Sequence, residues 1–209
     1  MFKKIIVFAF ILLFFELNAQ EEKTFRYKSI LKTTATISPG YMLNSPQTNI
    51  YINGDLEYFM EEKISFRSEI FVMVGTQSKP AILQDNSSLL WGGLYHMHKN
   101  RFDFFVGLQT GINFTKPGDV TLDSIVKLRR GFTSNYGPVT ETYIYKVIPV
   151  ISPMVGITFY VSDYFNFFLN ARYVVGKYYG YTDGKTLILD EIRISAGLGF
   201  QIHVKKDKK

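Results

Sequence analysis

The 209-residue chain is long enough for one domain with a sizeable core; 46% of it is hydrophobic and 16% aromatic, with 14 Tyr and 19 Phe. The absence of cysteine excludes a disulfide scaffold and a thiolate zinc site. The net charge of +6 is scattered with no basic helix or stripe, so nucleic acid is not the expected partner.

In chain order, "MFKKIIVFAFILLFFELNAQ" comes first. Lys3 and Lys4 precede an apolar run from Ile5 to Phe15, and Leu17-Asn18-Ala19 places a small residue at a cut. This is the layout of an export signal peptide over residues 1–19, with cleavage after Ala19. The run is too short to cross about 30 Å of hydrocarbon as a helix. Residues 20–209 then form one domain, expected to be exported.

Eight segments of that domain alternate with a period of two: about 30–42, 49–61, 63–75, 88–98, 101–113, 146–161, 165–176 and 187–203. Their richness in Tyr and Phe fits strands. Three connections are tight: "EEK" at 61–63, "KN" at 99–100 and "SDY" at 162–164. The others, 43–48, 76–87, 114–145 and 177–186, are longer. Short and long connections alternate throughout. The fold class expected is all-β, an eight-stranded antiparallel up-and-down transmembrane barrel with short turns at one rim and long loops at the other. "DVTLDSIVKL" (119–128) also alternates. An even strand count makes it a hairpin arm of the third long loop, pairing with "ETYIYKV", rather than a ninth strand.

The faces follow. Strand two sets Ile50, Ile52, Leu56 and Met60 against Asn53, Asp55 and Glu57. Strand three sets Ile64, Phe66, Ile70, Val72 and Val74 against Ser65, Arg67 and Glu69. In strand five Phe102, Phe104, Val106, Leu108 and Ile112 oppose Arg101, Asp103, Gly107, Gln109 and Asn113. Strand seven turns Phe165, Phe167, Leu169, Ala171, Tyr173 and Val175 away from Asn166, Asn170 and Arg172. Strand eight turns Ile192, Ile194, Ala196, Leu198, Phe200 and Ile202 away from Glu191, Arg193, Ser195, Gly197, Gly199 and Gln201. An eight-stranded lumen just fits its side chains, so the bulky apolar face belongs outside against lipid. Pro149 and Pro153 share a parity in strand six, and Pro153 is expected to mark a bulge. Leu90 and Leu94 fall on the inner face of strand four. Trp91, Tyr95, Tyr160, Tyr164, Tyr41 and Tyr173 are candidates for interfacial girdles.

The turn at 61–63 sets Glu57 opposite Arg67 and Asp55 opposite Glu69. With Asp103, Arg172, Glu191 and Arg193, these residues are expected to form an interior ion-pair network plugging the lumen; a channel lining is the rival reading. The turn at 99–100 sets His98 beside Arg101 and His96 beside Asp103. A histidine–carboxylate pair suits acid–base work. It lacks a clear nucleophile, and no Ser-His-Asp arrangement, phosphate loop or zinc constellation is visible. No catalytic, cofactor-binding or metal residue is therefore expected. Lys116, Lys127, Arg129 and Arg130, followed by "GFTSNYGP", make the third loop basic, suited to lipopolysaccharide phosphates or a protein partner.

At this point the chain resembles the small eight-stranded outer-membrane β-barrels of gram-negative bacteria, the OmpA/OmpX-type and related outer membrane protein β-barrel domain families. The last strand of that class carries an assembly signal: polar, any, Gly, any, any, hydrophobic, any, hydrophobic. Ser195, Gly197, Phe200 and Ile202 match it. The family usually ends there on an aromatic; here Ile202 and the tail "HVKKDKK" depart. The resemblance implies a porin-like outer-membrane location and insertion by the barrel assembly machinery. It does not imply one activity. The expectation is a structural or interaction role without catalysis. Alternatives are an accessory subunit of an outer-membrane secretion or assembly system, a soluble periplasmic lipocalin-like binding barrel, and a lipid hydrolase.

Overall fold

Alternating apolar and polar residues form strands because each pleated face meets a single environment. The computed structural model describes residues 29–79, 81–118, 145–178 and 187–204. The signal segment, the run 119–128, most of the third and fourth long loops, and the tail after residue 204 lie outside the described residues. Eight strands appear in chain order: β1 (Ile30–Met42), β2 (Gln47–Phe59), β3 (Ile64–Thr76), β4 (Leu83–Lys99), β5 (Phe102–Pro117), β6 (Lys146–Tyr160), β7 (Phe165–Tyr178) and β8 (Leu187–His203). Each pairs antiparallel with its neighbour, and β1 closes on β8. Closure leaves no free strand edge. β4 and β5 run further toward the long loops than expected, pairing out to Leu83 and Pro117. This hairpin outreaches β3, whose pairing with β4 stops at Phe71–Ser88.

The faces fall as the alternation predicts. Ile52, Val72, Tyr95, Leu108, Val155 and Leu198 are all exposed on the outer wall, as are Leu90 and Leu94's opposite-parity neighbours Trp91 and Met97. Asp55, Glu57, Arg67, Glu69, Asp103, Arg172, Glu191 and Arg193 are buried inside. A soluble binding barrel needs the reverse arrangement, so that alternative does not hold. Two face assignments need correction. Tyr160 is 1% exposed and points into the lumen, because β6 meets the turn at an inward position. It is not a girdle residue. Arg101 is exposed because it belongs to the turn and not to β5.

That turn is also the source of a register correction. Asn100 adopts a left-handed φ of 56°, which Asn tolerates better than most residues, and the two-residue connection is Asn100–Arg101. His98 therefore faces Asp103, and His96 faces Phe105. A shift by an even number of residues keeps every inward side chain inward. The β2–β3 turn keeps the expected register, with Glu57 opposite Arg67 and Asp55 opposite Glu69.

Pro153 causes no bulge. β6 keeps one register with β5 along its whole length and one register with β7 on both sides of Ser152–Pro153, where the β7 ladder is interrupted. A proline withholds a donor without needing an extra residue. The bulges lie elsewhere, between Ile50 and Tyr51 and between Leu83 and Asp85.

The closing seam has a similar gap. β1 pairs with β8 from Ile30–His203 to Thr34–Gly199 and again from Gly40–Arg193 to Met42–Glu191. Between these stretches, where Pro39 has no N–H to give, side chains bridge the strands. Thr36 Oγ1 donates to the Ala196 carbonyl at 2.6 Å, and the Ser38 and Ser195 hydroxyls meet at 2.6 Å.

Leu108 is 58% exposed at the centre of this wall. A Leu108→Arg change is predicted to lower unfolding stability in lipid vesicles by about 2–4 kcal/mol, the cost of a cation on a lipid-facing strand. Urea titration of the vesicle-folded barrel measures this. On a water-exposed wall the change would fall within about 0.5 kcal/mol.

Candidate functional site

The lumen is filled in layers. At the short-turn end Ile30, Phe59 and Tyr160 form an apolar cluster. At the long-loop end Met42, Tyr51, Phe71, Leu83, Leu90 and Ile148 begin a larger one that also takes in Val150, Val174 and Leu189. The charged side chains lie mainly between these caps. Inward Phe59, Phe71, Phe105 and Tyr51 were not anticipated, because the outward-facing aliphatics dominate the alternation signal.

Glu57 is the hub of the lower network. Its Oε2 accepts from Arg67 Nη2 at 2.6 Å and Nε at 3.2 Å, and lies 3.2 Å from Lys32 Nζ. Its Oε1 accepts from Ser65 Oγ at 2.5 Å and lies 3.0 Å from His96 Nε2. Lys32 was missed in the sequence. It sits 1% exposed on β1, whose outward Ile37 and Tyr41 place the even positions inward. Arg67 also reaches Asp55 at 3.8 Å and lies 4.7 Å above the Phe105 ring. The opposed carboxylates Asp55 and Glu69 are thus served by different guanidinium contacts. Glu69 pairs with Arg172, whose Nη1 donates to Gln109 at 2.7 Å. Gln109 in turn donates to the Arg67 carbonyl at 3.3 Å, linking the two pairs.

Nearer the long loops, Arg193 Nε donates to Glu191 at 2.8 Å and Nη1 to Ser88 at 2.8 Å. Glu191 also accepts from Tyr51 at 2.8 Å and Asn49 at 2.9 Å. The Arg193 guanidinium lies 4.1 Å above the Tyr51 ring. Every cation here has a carboxylate and an aromatic face or amide beside it, which is what makes burial of a charge bearable.

Asp103 belongs to a third group. It has no arginine or lysine partner in hydrogen-bond range among the described residues; His96 Nδ1 at 2.8 Å, His98 Nδ1 at 3.1 Å and Tyr160 Oη at 3.3 Å surround it. Ser65 Oγ lies 2.8 Å from His96 Nε2, so the register brings together a Ser-His-Asp connectivity invisible in the linear sequence. The proton directions do not suit nucleophilic catalysis. The Ser65 hydroxyl donates to Glu57, and all three side chains are fully buried under the Ile30–Phe59–Tyr160 cluster.

The residues expected to carry the assembly signal all lie on β8 beside β1. Ser195 and Gly197 face inward, Gly197 with Thr36 and Phe168 about it, while Phe200 and Ile202 face outward.

No family model and no curated protein sequence matches the chain. Solved structures do. The crystal structure of Neisserial surface protein A is similar at 8% identity and a TM-score of 0.54, over 83% of this chain and 96% of that one. Ail, the attachment invasion locus protein of Yersinia pestis, matches at 9% identity and 0.50, over 84% and 99%. The outer membrane protein OprG of Pseudomonas aeruginosa matches at 9% and 0.50, over 86% and 98%. The shared property is the fold, that of the small eight-stranded outer-membrane barrels.

Arg67 is predicted to be the costliest of the cations to remove. Arg67→Ala leaves Glu57 and Asp55 with a deficit of positive charge in a closed space, a loss of about 3–5 kcal/mol. Urea unfolding in detergent micelles reads it, and an unchanged midpoint would show that the pairing carries no stability.

Proposed function

We propose that the protein is an integral outer-membrane barrel with a non-conducting lumen, serving a structural or interaction role without catalysis. The observation that carries this reading is the combination of an apolar outer wall with a lumen capped by apolar side chains at both ends. An aliphatic belt is what a bilayer accepts, and a closed barrel satisfies its backbone there. Between the caps, charges are bonded to each other instead of lining a water path. Under this reading the short turns and both termini of the barrel face the periplasm and the long loops face outward.

Interaction would then fall to the long-loop rim. The β4–β5 hairpin outreaches its neighbour there with Lys116 near its end, and the sequence that follows carries Lys127, Arg129 and Arg130, a basic composition suited to lipopolysaccharide phosphates or a protein partner through residues 114–145. Insertion by the barrel assembly machinery would use Ser195, Gly197, Phe200 and Ile202. An accessory role in a secretion or assembly system differs only in having a fixed protein partner.

Two measurements test the reading. Membrane fractionation with gel mobility before and after boiling should place the protein in the outer membrane with a heat-shifted band. Purified protein in a planar bilayer should give no stepwise conductance. A soluble, mobility-invariant product or steady channel openings would overturn it. Deleting residues 119–144 should leave the band shift intact; loss of a co-purifying protein on that deletion would select the accessory role.

A further inference from the structure

The mechanical reading leaves the two histidines of the β4–β5 hairpin unexplained. His96 and His98 lie on one face of β4, two residues apart, with their rings stacked at 13° and 5.6 Å between centroids. Both direct Nδ1 at the same carboxylate. His96 Nδ1 is 2.8 Å from Asp103 Oδ2, and His98 Nδ1 is 3.1 Å from Asp103 Oδ1. The other ring nitrogens settle the tautomers. His98 Nε2 lies 2.7 Å from the Glu62 carbonyl oxygen, which can only accept. His96 Nε2 lies 3.0 Å from Glu57 Oε1 and 2.8 Å from Ser65 Oγ, whose own proton goes to Glu57. Each Nε2 therefore carries a proton. In a neutral ring Nδ1 is then a lone pair aimed at carboxylate oxygen. A second proton on the ring would make such a contact a hydrogen bond; a metal ion set between the two rings and the carboxylate would engage both lone pairs at once.

We propose that His96, His98 and Asp103 form a binding site for a divalent transition-metal ion of the zinc, copper or nickel kind at the short-turn rim. Two borderline imidazole nitrogens beside one hard carboxylate suit these ions better than calcium or magnesium, which want oxygen ligands throughout. The candidate ligand atoms all lie within 4.8 Å of one another. Ligands about 2.0–2.1 Å from a tetrahedral zinc stand about 3.4 Å apart, so the two histidine–carboxylate contacts would open by a few tenths of an ångström while the widest ligand pair, up to 4.8 Å apart, would close onto the ion. The surroundings match what a ligated histidine needs, with the remote N–H of each ring held by a carboxylate or a carbonyl. Asp103 is itself held by the Tyr160 hydroxyl at 3.3 Å. Three protein ligands leave a fourth position open. His98, 14% exposed against none for His96 and Asp103, is the side of entry.

The test uses the mature barrel without an affinity tag, folded in detergent and stripped with a chelator. Titration with zinc chloride by calorimetry should show one ion per barrel, with a Kd of about 1 μM or tighter. The copper-loaded protein should show two nitrogen ligands by electron paramagnetic resonance. His98→Ala should weaken zinc by at least about tenfold and leave one nitrogen, while keeping the heat-shifted gel band. The remaining histidine, His203 on β8, serves as control: His203→Ala should change neither reading. If His98→Ala does not fold, the nitrogen count in the wild type and the His203→Ala titration still decide. Zinc binding that is absent, that survives His98→Ala unchanged, or that is lost in His203→Ala would overturn the site and leave the barrel reading untouched.

Discussion

A guanidinium cannot stay where Arg67 lies unless carboxylates meet it there. The lumen of eight strands admits side chains and little else, so the charge must be answered by side chains alone. Glu57 answers it directly and Asp55 from 3.8 Å. Because Glu57 also holds Lys32, Ser65 and His96, one carboxylate couples β1, β2, β3 and β4 from within. The backbone ladder fixes which strands are neighbours. The Glu57 hub ties strands that are not, since β1 and β4 share no ladder.

The same logic repeats further up. Glu191 gathers Asn49, Tyr51 and Arg193, and so joins β2 to β8 across the barrel. Apolar caps beyond both networks keep water out, which strengthens every pair between them. Lipid outside and ion pairs inside thus support each other: the wall excludes water from the charges, and the charges hold the wall closed.

Most of this architecture was legible because its rules are local. Period-two alternation, short turns and strand length identify eight strands with nearly the right limits. The "EEK" turn sets the Glu57–Arg67 and Asp55–Glu69 oppositions correctly, since its length leaves no choice of register. The "KN" turn misleads by two residues, because the left-handed Asn100 moves the connection one place along. What was illegible depends on registers that a longer connection leaves open in the sequence. Lys32 meets Glu57 because the β1–β2 register sets them directly opposite, and Ser65 meets His96 from the adjoining strand. Tyr160 looks like a girdle residue until its final inward position at the end of β6 is known. Pro153 looks like a bulge, yet a missing donor at one joint is enough to accommodate it.

The two interrupted joints have a mechanical consequence. β7 and β8 are laddered continuously from Phe165–Phe200 to Tyr178–Leu187. On one side this hairpin meets β6 where the ladder lapses at Ser152–Pro153; on the other it meets β1 where hydroxyls replace it around Ser38. The barrel is therefore a six-strand shell and a two-strand plank set between its two interrupted joints. The plank carries Arg172, Glu191 and Arg193, whose partners Glu69, Tyr51 and Ser88 sit on the shell opposite. Glu191 and Arg193 pair with each other along β8, whereas Arg172 meets its carboxylate only on the shell, so the last hairpin acts as the latch of the whole wall.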